Sequence, residues 1–267
     1  MVVSACTFYD VLPILTKKEP KGWKATPPLW HRLALCFSAR ANIEKLLTYK
    51  ESSDGLECIH GLKLMSLCLI IMGHRLMFNL GAPLTNAEFV EGFYTKVTSM
   101  ILLNGPIVVD TFFGISGFLV CYLLLQEYNK RRRLNVLMLY VHRYVRLTPV
   151  YMVVLAFYTT LLVQFGSGPL WEHKVGREAE RCAENWWANV LYVNNYVNPE
   201  KLCMFQSWYI TCDMHLFIIS PPIVYLLWKR PTIGKTLLFV ATAASIVTSF
   251  LVTYLGKLDA LLLLYMK

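Results

Sequence analysis

The chain contains few charged residues, and it lacks the motifs of the common soluble enzymes. Asp, Glu, Lys and Arg make up 16% of its 267 residues and hydrophobic residues 56%, with a mean hydropathy of +0.45. These values indicate a polytopic membrane protein. No Walker loop, dinucleotide fingerprint or HExxH motif occurs. The segment GISGF at 114–118 lacks the second glycine of a nucleophile elbow, so Ser116 is not a candidate nucleophile.

Targeting and metal-binding patterns are missing as well. Residues 1–20 have no basic start and only a short apolar run, so they do not form a secretory signal peptide. The eight cysteines include no CxxC pair and no Cys/His cluster with zinc spacing. We therefore expect no metal, and we expect the first membrane span to direct insertion.

The net charge of +9 does not indicate a nucleic-acid partner. No stretch combines basic residues with exposed aromatic residues as nucleic-acid recognition requires. The Lys and Arg residues cluster between apolar runs, which the positive-inside rule explains. Membrane lipids are therefore the expected partners.

The apolar runs predict an all-α bundle of transmembrane helices with about five to six spans. The five complete runs are 60–78, 101–125, 147–165, 208–228 and 237–255. A sixth run at the end is cut short. Residues 1–58 hold many basic groups and are predicted to be a cytoplasmic segment, amphipathic over 31–47. Residues 59–267 form the predicted membrane domain, which we expect to be incomplete at its C-terminus.

The first run carries ionisable residues in a stretch long enough to cross a bilayer. Lys63 and His74 are eleven residues apart, so they lie about 20° apart around a helix and about 16 Å apart along it. Two ionisable groups on one stripe are costly in lipid and indicate a site inside a bundle. Alternatively, both side chains extend from the span ends towards water, as we expect for Arg75.

Later runs also contain acidic residues and small residues. Asp110 lies in the second run, and Asp213 lies in the fourth, two residues before His215. Gly114 and Gly117 are predicted to allow close helix packing. Ionisable groups in membrane spans can form the active site of a transferase, and they also form proton relays in transporters. The residues alone leave both classes open.

Arg143 and Arg146 are three residues apart and share a helix face near the predicted cytoplasmic side. Two guanidinium groups there would suit an anionic phosphate ligand. Contact with lipid headgroups is the alternative.

Cys182 and Cys203 frame a polar, aromatic segment that the alternation of spans places outside. Two cysteines in an oxidising compartment predict one disulfide, which would stabilise a loop of this length by about 3 kcal/mol. Two unpaired thiols are the alternative.

Five segments together resemble the acyltransferase type 3 superfamily, and within it the animal branch known as nose resistant to fluoxetine proteins. They are GLKLMSLCLIIMGH (61–74), VDTFFGISGFLVCYLLL (109–125), YVHRYVRLTPVYMVVL (140–155), CAENWWANVLYVNNY (182–196) and QSWYITCDMHLFIISP (206–221). The resemblance implies a bundle of about ten spans that moves an acyl group from acyl-CoA to an acceptor. It makes residues 59–267 an incomplete acyltransferase type 3 membrane domain.

The resemblance also implies roles for particular residues. The basic residue of the first core span falls on Lys63, where arginine is usual, and the essential histidine falls on His74. The cytoplasmic Arg-x-x-Arg element that handles the donor falls on Arg143 and Arg146.

The tryptophan-led motif of a later span falls on Trp208 and Asp213, where bacterial members commonly have glutamate in place of the aspartate. The leading hypothesis is therefore acyl transfer from acyl-CoA to a hydroxyl, with His74 as general base. The alternatives are a transport protein of the same fold for lipids or small molecules, and an inactive truncated fragment. The acceptor stays unknown, and both the endoplasmic reticulum and the plasma membrane stay possible.

Overall fold

The computed structural model describes residues 2–16, 28–48, 55–81, 83–86, 88–89, 92, 96–103, 105–131 and 134–258. Its helices of eight or more residues are α1 (Val2–Leu15), α2 (Leu29–Cys36), α3 (Ala39–Leu47), α4 (Cys58–Leu80), α5 (Gly105–Arg131), α6 (Val136–Ala156), α7 (Arg177–Val190), α8 (Trp208–Lys229) and α9 (Pro231–Leu255). No β-strand occurs within these residues. The predicted all-α fold is confirmed.

Five stretches of the described residues are long and apolar enough to cross a membrane. They are Cys58–Leu80, Ile107–Arg131, Val136–Phe165, Phe205–Lys229 and Pro231–Leu255. Each exceeds the roughly 20 residues that a bilayer requires. The protein is therefore an integral, multi-pass membrane protein. The predicted sixth run lies almost entirely outside the described residues.

The third span begins earlier than the sequence predicts. Helix α6 starts at Val136 because the Asn135 side chain caps it, accepting a hydrogen bond from the Met138 backbone N over 3.1 Å. The expected start was residue 147, so Arg143 and Arg146 lie within the span and not in a loop before it. The helix then continues into a π-helical turn at Phe157–Leu161.

The chain divides into two compact units, Met1–Gly61 and Leu62–Lys267. In the first unit, the predicted amphipathic segment is two helices that meet at Ser38. The Ser38 Oγ accepts from the Ala41 backbone N over 3.3 Å and donates to Asp10 Oδ2 over 2.7 Å.

Arg40 also binds Asp10, with Nε 3.1 Å from Oδ2. The hydrogen bond from Arg40 lowers the pKa of the Asp10 carboxyl despite the opposing effect of burial. A capping serine and an ion pair thus join α1 to α3.

In the second unit, α5 and α8 run side by side in the same direction. Phe113 meets Tyr209 near one end, with ring centres 4.7 Å apart, and Tyr128 stacks on Trp228 near the other, at 5.6 Å. Helix α6 runs antiparallel to α8. Tyr140 of α6 donates to the Ile218 carbonyl, whereas Arg143, three residues later in α6, donates to Asp213, five residues earlier in α8. These three helices hold the candidate site between them.

Close helix packing occurs at a glycine that sequence reasoning did not single out. A Cβ added to Gly234 of α9 would lie 2.7 Å from the backbone N and Cα of Leu227, so α8 and α9 meet there as only glycine allows. A Cβ at Gly114 or Gly117 would meet no atom within 4 Å. The close packing expected at those two glycines is therefore absent among the described residues.

Candidate functional site

Arg143 of α6 and Asp213 of α8 form an ion pair between two membrane spans. Arg143 Nη2 donates to Asp213 Oδ2, and the two side chains are 20% and 17% exposed. The guanidinium carbon also lies 4.1 Å from the centre of the Phe217 ring. Phe217 lies about one turn beyond Asp213, on the same face of α8. That face therefore binds the arginine through a carboxylate and through an aromatic ring, which attracts cations.

Ser116 of α5 completes the arrangement. Its Oγ donates to Asp213 Oδ1 over 3.0 Å, so the carboxylate receives hydrogen bonds from two different helices. Sequence reasoning set Ser116 aside because the nucleophile pattern around it is incomplete. In the structure its hydroxyl orients Asp213 instead. We refer to Ser116, Arg143 and Asp213 as the ion-pair site.

The ion-pair site lies well inside the spans. Ser116 is 15 residues before the end of α5 at Arg131, and Asp213 is 16 residues before the end of α8 at Lys229. Both are therefore about 22–24 Å from these basic helix ends, which the charge pattern assigns to the cytoplasmic side. Arg143 itself is seven residues, or about 10 Å, after the start of α6 at Val136. Its place at a cytoplasmic mouth stays a prediction.

Arg146 behaves differently from Arg143, although the two are only three residues apart. Its side chain is exposed, and it forms no hydrogen bond or ion pair with any described residue. Arg143 uses only Nη2 for hydrogen bonds to the described residues, and its Nε is buried without a partner. The Arg-x-x-Arg element thus supplies one guanidinium fixed by the protein and one that stays open to a ligand.

Lys63 and His74 lie on α4, where both are partly buried, whereas Arg75 is exposed. Neither forms a hydrogen bond or ion pair with the ion-pair site in the part of the chain that the structure describes. The end of α4 is held by Lys174, whose Nζ donates to the Gly81 carbonyl. The structure thus places both residues on one apolar helix, and their catalytic roles stay predictions.

The predicted disulfide between Cys182 and Cys203 is present, and both residues are fully buried. They belong to a core cluster that includes Tyr151 and Leu155 of α6 and Met214 of α8. The bond closes a loop across a sequence separation of 21. It fixes α7 and the following loop against the two helices that carry Arg143 and Asp213.

A buried asparagine links these elements further. The Asn189 side-chain nitrogen lies 2.8 Å from Tyr151 OH and 3.0 Å from the Cys203 carbonyl oxygen. It also lies 3.2 Å from Ser207 Oγ. Asn189 therefore connects α6, the disulfide loop and the residue that precedes α8.

A second asparagine reaches the start of α8 itself. Asn194 Nδ2 donates to Ser207 Oγ over 2.9 Å, and Asn194 Oδ1 accepts from Thr211 Oγ1. Thr211 is two residues before Asp213, so the network sets the position of the helix that carries the carboxylate. The sequence analysis did not predict this network. The signal for it was the number of asparagines between the two cysteines: Asn185, Asn189, Asn194, Asn195 and Asn198.

Tyr192 lies in the same loop with a left-handed backbone, φ +58°, although it is bulky and only 2% exposed. Such a conformation costs about 1–3 kcal/mol and persists only where surrounding contacts enforce it. The phenol oxygen lies 3.2 Å from Thr148 Oγ1. Burial raises the pKa of the Tyr192 phenol, while the bond to Thr148 and the nearby charge of Arg143 lower it. The loop thus brings a neutral phenol close to the guanidinium.

Two further predicted residues lie on the helices that carry Ser116 and Asp213. Trp208 begins α8 with its ring centre 6.3 Å from that of Phe113, and its carbonyl accepts from Asn195 Nδ2 over 3.0 Å, so it supports the helix start. Asp110 is exposed on α5 and does not contact the ion-pair site within the described residues.

The observations define a class: an α-helical, multi-pass membrane protein that holds an ion pair within its spans, next to a disulfide-closed loop. The family model described as an acyltransferase domain, type 3, matches residues 56–266 of this chain. The chain belongs to the acyltransferase type 3 family. No solved structure matches it.

Known relatives agree with this membership. Nose resistant to fluoxetine protein 6 of Caenorhabditis elegans is 29% identical over 249 residues, which cover 85% of this chain and 30% of that protein. The O-acetyltransferase OatA of Staphylococcus aureus is 28% identical over 136 residues, or 48% of this chain and 22% of that protein. A putative O-acetyltransferase of the same species is 28% identical over 164 residues. The chain therefore spans under a third of the length of these relatives.

Proposed function

We propose that the protein transfers an acyl group from acyl-CoA to the hydroxyl group of an acceptor. The observation that carries the proposal is the ion-pair site, because charged groups inside membrane spans are costly and mark functional sites. Family membership supports transfer of an acyl group, and the bacterial relatives named as O-acetyltransferases support an oxygen acceptor.

His74 acts as the general base in this proposal. Its imidazole takes the proton of the acceptor hydroxyl while the oxygen attacks the thioester carbonyl carbon. A carbon–oxygen bond forms, the carbon–sulfur bond breaks, and the departing thiolate of CoA receives the proton from His74. A group that titrates near neutral pH suits both transfers of the proton.

The basic residues hold the donor. Arg146, which has no partner among the described residues, binds a donor phosphate, with Arg143 contributing the N–H groups that bond none of these residues. Lys63 lies about 16 Å from His74 along α4, too far to contact the same carbonyl, and binds another charged part of the donor. Asp213 and Ser116 are positioning residues that keep Arg143 in place.

The role of Arg146 is tested by steady-state kinetics of the protein in vesicles. A hydrogen bond to a charged group contributes about 1.5–3 kcal/mol, so Arg146→Gln should raise KM for acyl-CoA roughly ten- to a hundredfold with little change in kcat. Arg75→Gln removes an exposed cation from α4 and should change neither constant. Equal KM values for wild type and Arg146→Gln would remove Arg146 from donor binding.

The same vesicles separate transfer from transport. Release of free CoA thiol and formation of the acyl ester are measured beside the flux of lipid and of acyl-CoA across the vesicle membrane. Transfer predicts equal amounts of thiol and ester. Flux without either product would refute transfer and favour a transport protein of the same fold.

A further inference from the structure

The three helices of the first unit bury almost none of their side chains. Within residues 2–16, 28–48 and 55–61, Ser38 is the only buried residue. A helix in water is stabilised mainly by burial of its apolar face. Large apolar residues are instead exposed on all three helices: Phe8, Leu12, Ile14 and Leu15 of α1, Leu29, Trp30 and Leu33 of α2, and Ile43, Leu46 and Leu47 of α3. The unit therefore needs an apolar partner beyond its described residues.

The contacts that join α1 to α3 are polar. Thr7 Oγ1 accepts a hydrogen bond from the Ala39 backbone N over 2.9 Å. Asp10 Oδ2 accepts from Ser38 Oγ over 2.7 Å and from Arg40 Nε over 3.1 Å. These bonds set the position of the two helices but bury no apolar face. Polar groups thus form the inside of the unit.

The apolar stripe of α1 lies on the other side of that helix. Phe8, Leu12 and Leu15 follow one another at spacings of four and three residues, so they lie within about 60° around the helix. Their exposed fractions are 63%, 42% and 71%. Asp10 is two residues from both Phe8 and Leu12, which places it on the opposite face. This is the reverse of a helix in a soluble protein, whose apolar stripe faces the core.

The bilayer is the apolar surface that the chain itself keeps within reach of the unit. Helix α3 ends at Leu47, and the first span begins eleven residues later, at Cys58. Eleven residues extend over at most about 40 Å. The unit therefore stays near the membrane surface at which the span begins. Such a tether raises the effective concentration of the bilayer, so even a modest affinity is enough for docking.

The charge of this part of the chain favours the same partner. A helix with an apolar face and basic residues is typical of segments that lie in the headgroup region of a membrane. An anionic lipid surface increases the affinity by about fivefold for each Lys or Arg close to it. Residues 17–45 hold seven basic residues against Glu19 and Glu44: Lys17, Lys18, Lys21, Lys24, Arg32, Arg40 and Lys45.

We propose that α1, α2 and α3 dock on the bilayer surface, with their exposed apolar residues between the headgroups and the first acyl carbons of anionic phospholipids. The sequence predicts an amphipathic segment only over residues 31–47, and the structure adds α1 to it. The proposal does not depend on acyl transfer, because the first unit holds none of the residues of the proposed mechanism.

Two residues of α3 provide a matched pair of positions for the test. Ile43 and Lys45 are both exposed, and they are two residues apart, so their side chains point about 160° apart around the helix. Leu47 is four residues after Ile43 and shares its side. The proposal places Ile43 against lipid and Lys45 towards water.

The experiment uses the full chain in vesicles of phosphatidylcholine and phosphatidylserine. A phenylalanine that carries a photoreactive benzophenone replaces either Ile43 or Lys45, and lipid attached after irradiation is measured by mass spectrometry. Position 43 should attach at least tenfold more lipid than position 45, mainly at acyl carbons close to the glycerol. In vesicles of phosphatidylcholine alone, labelling at position 43 should fall at least fivefold.

A variant of α1 tests the stripe itself. Phe8→Ser, Leu12→Ser and Leu15→Ser together remove the exposed apolar side chains and leave Asp10 with its partners. Lipid labelling from position 43 should fall at least tenfold in this variant. Formation of the Cys182–Cys203 disulfide should be unchanged, which shows that the second unit is intact. Labelling at the wild-type level would remove the stripe from docking.

Several results would overturn the proposal. Equal lipid labelling at positions 43 and 45 would show that α3 does not turn one side to the bilayer. Attachment of position 43 to protein in place of lipid would assign this side to another part of the chain or to a second copy. Labels near the methyl ends of the acyl chains would put the helices inside the hydrocarbon core. Equal labelling with and without phosphatidylserine would refute an anionic partner.

Discussion

Neutralising one member of the Arg143–Asp213 pair should destabilise the protein far more than loss of an exposed ion pair does. Arg143→Met keeps a long unbranched side chain but removes the guanidinium, which bonds Asp213 and lies over the Phe217 ring. Asp213→Asn keeps a partner for Ser116 but also removes the charge. Each single variant leaves an uncompensated charge, or a donor without its acceptor, between spans. The double variant leaves no charge at all.

The magnitude follows from the limited exposure of the pair. Removing one partner of a buried ion pair costs about 3–5 kcal/mol. The Arg143 and Asp213 side chains are 20% and 17% exposed, so we expect the lower end, about 3 kcal/mol for each single variant. Once one charge is gone, loss of the other costs little, and the coupling energy should be about 2–3 kcal/mol.

A double-mutant cycle on detergent-solubilised protein measures this coupling from the free energies of unfolding. Arg146 provides the control, because it lies on the same helix but is exposed and has no partner among the described residues. A cycle of Arg146→Met with Asp213→Asn should give a coupling near zero. A coupling below about 0.5 kcal/mol for Arg143 and Asp213, or the same value for both cycles, would refute the stated role of the pair.

Two further predictions concern packing and pH. Gly234→Ala should destabilise the protein by about 1–3 kcal/mol, because its Cβ would lie 2.7 Å from the Leu227 backbone, whereas Gly114→Ala should not destabilise it; equal unfolding midpoints for the two would contradict the close contact. Since the hydrogen bond from Arg40 lowers the pKa of the Asp10 carboxyl from its ordinary value, the contact stabilises the first unit at higher pH and loses this effect as the pH falls through the lowered pKa. Asp10→Asn should therefore weaken amide protection in α1–α3 at pH 6, and its difference from the wild type should shrink as the pH falls through the lowered pKa of Asp10. A difference that does not change with pH would refute this role.

The span pattern was predictable because bilayer crossing requires long apolar runs, which the sequence displays directly. The start of α6 was not, since the basic residues around Arg143 resembled a cytoplasmic loop. Asn135 decides that boundary by capping the helix, and a single capping residue among many polar ones gives a weak signal.

The disulfide was predictable from two cysteines on one predicted side of the membrane. The ion-pair site was only half predictable. The family resemblance singled out Arg143 and Asp213 separately, but their contact depends on the antiparallel approach of α6 and α8. Ser116 could not be assigned at all, because its partner lies 97 residues away in the chain.

The glycines that allow close helix packing could not be predicted from the sequence either. Gly114 and Gly117 match the sequence pattern of a packing motif, yet close approach occurs at Gly234. Which glycine is covered depends on which helices are neighbours. The tight connection between α8 and α9 decides this, and periodicity along one helix does not reveal it.

Acyl transfer by His74 is tested most directly by ester formation in vesicles that contain the reconstituted chain, an acyl-CoA and a hydroxyl acceptor. With His74 as general base, the wild type should form ester and free CoA thiol in equal amounts, His74→Ala should lose transfer by at least a hundredfold, and the neighbouring Arg75→Gln should leave transfer unchanged. Membrane insertion of all three proteins should be the same. Transfer by His74→Ala at the wild-type rate would remove His74 from the proposed mechanism.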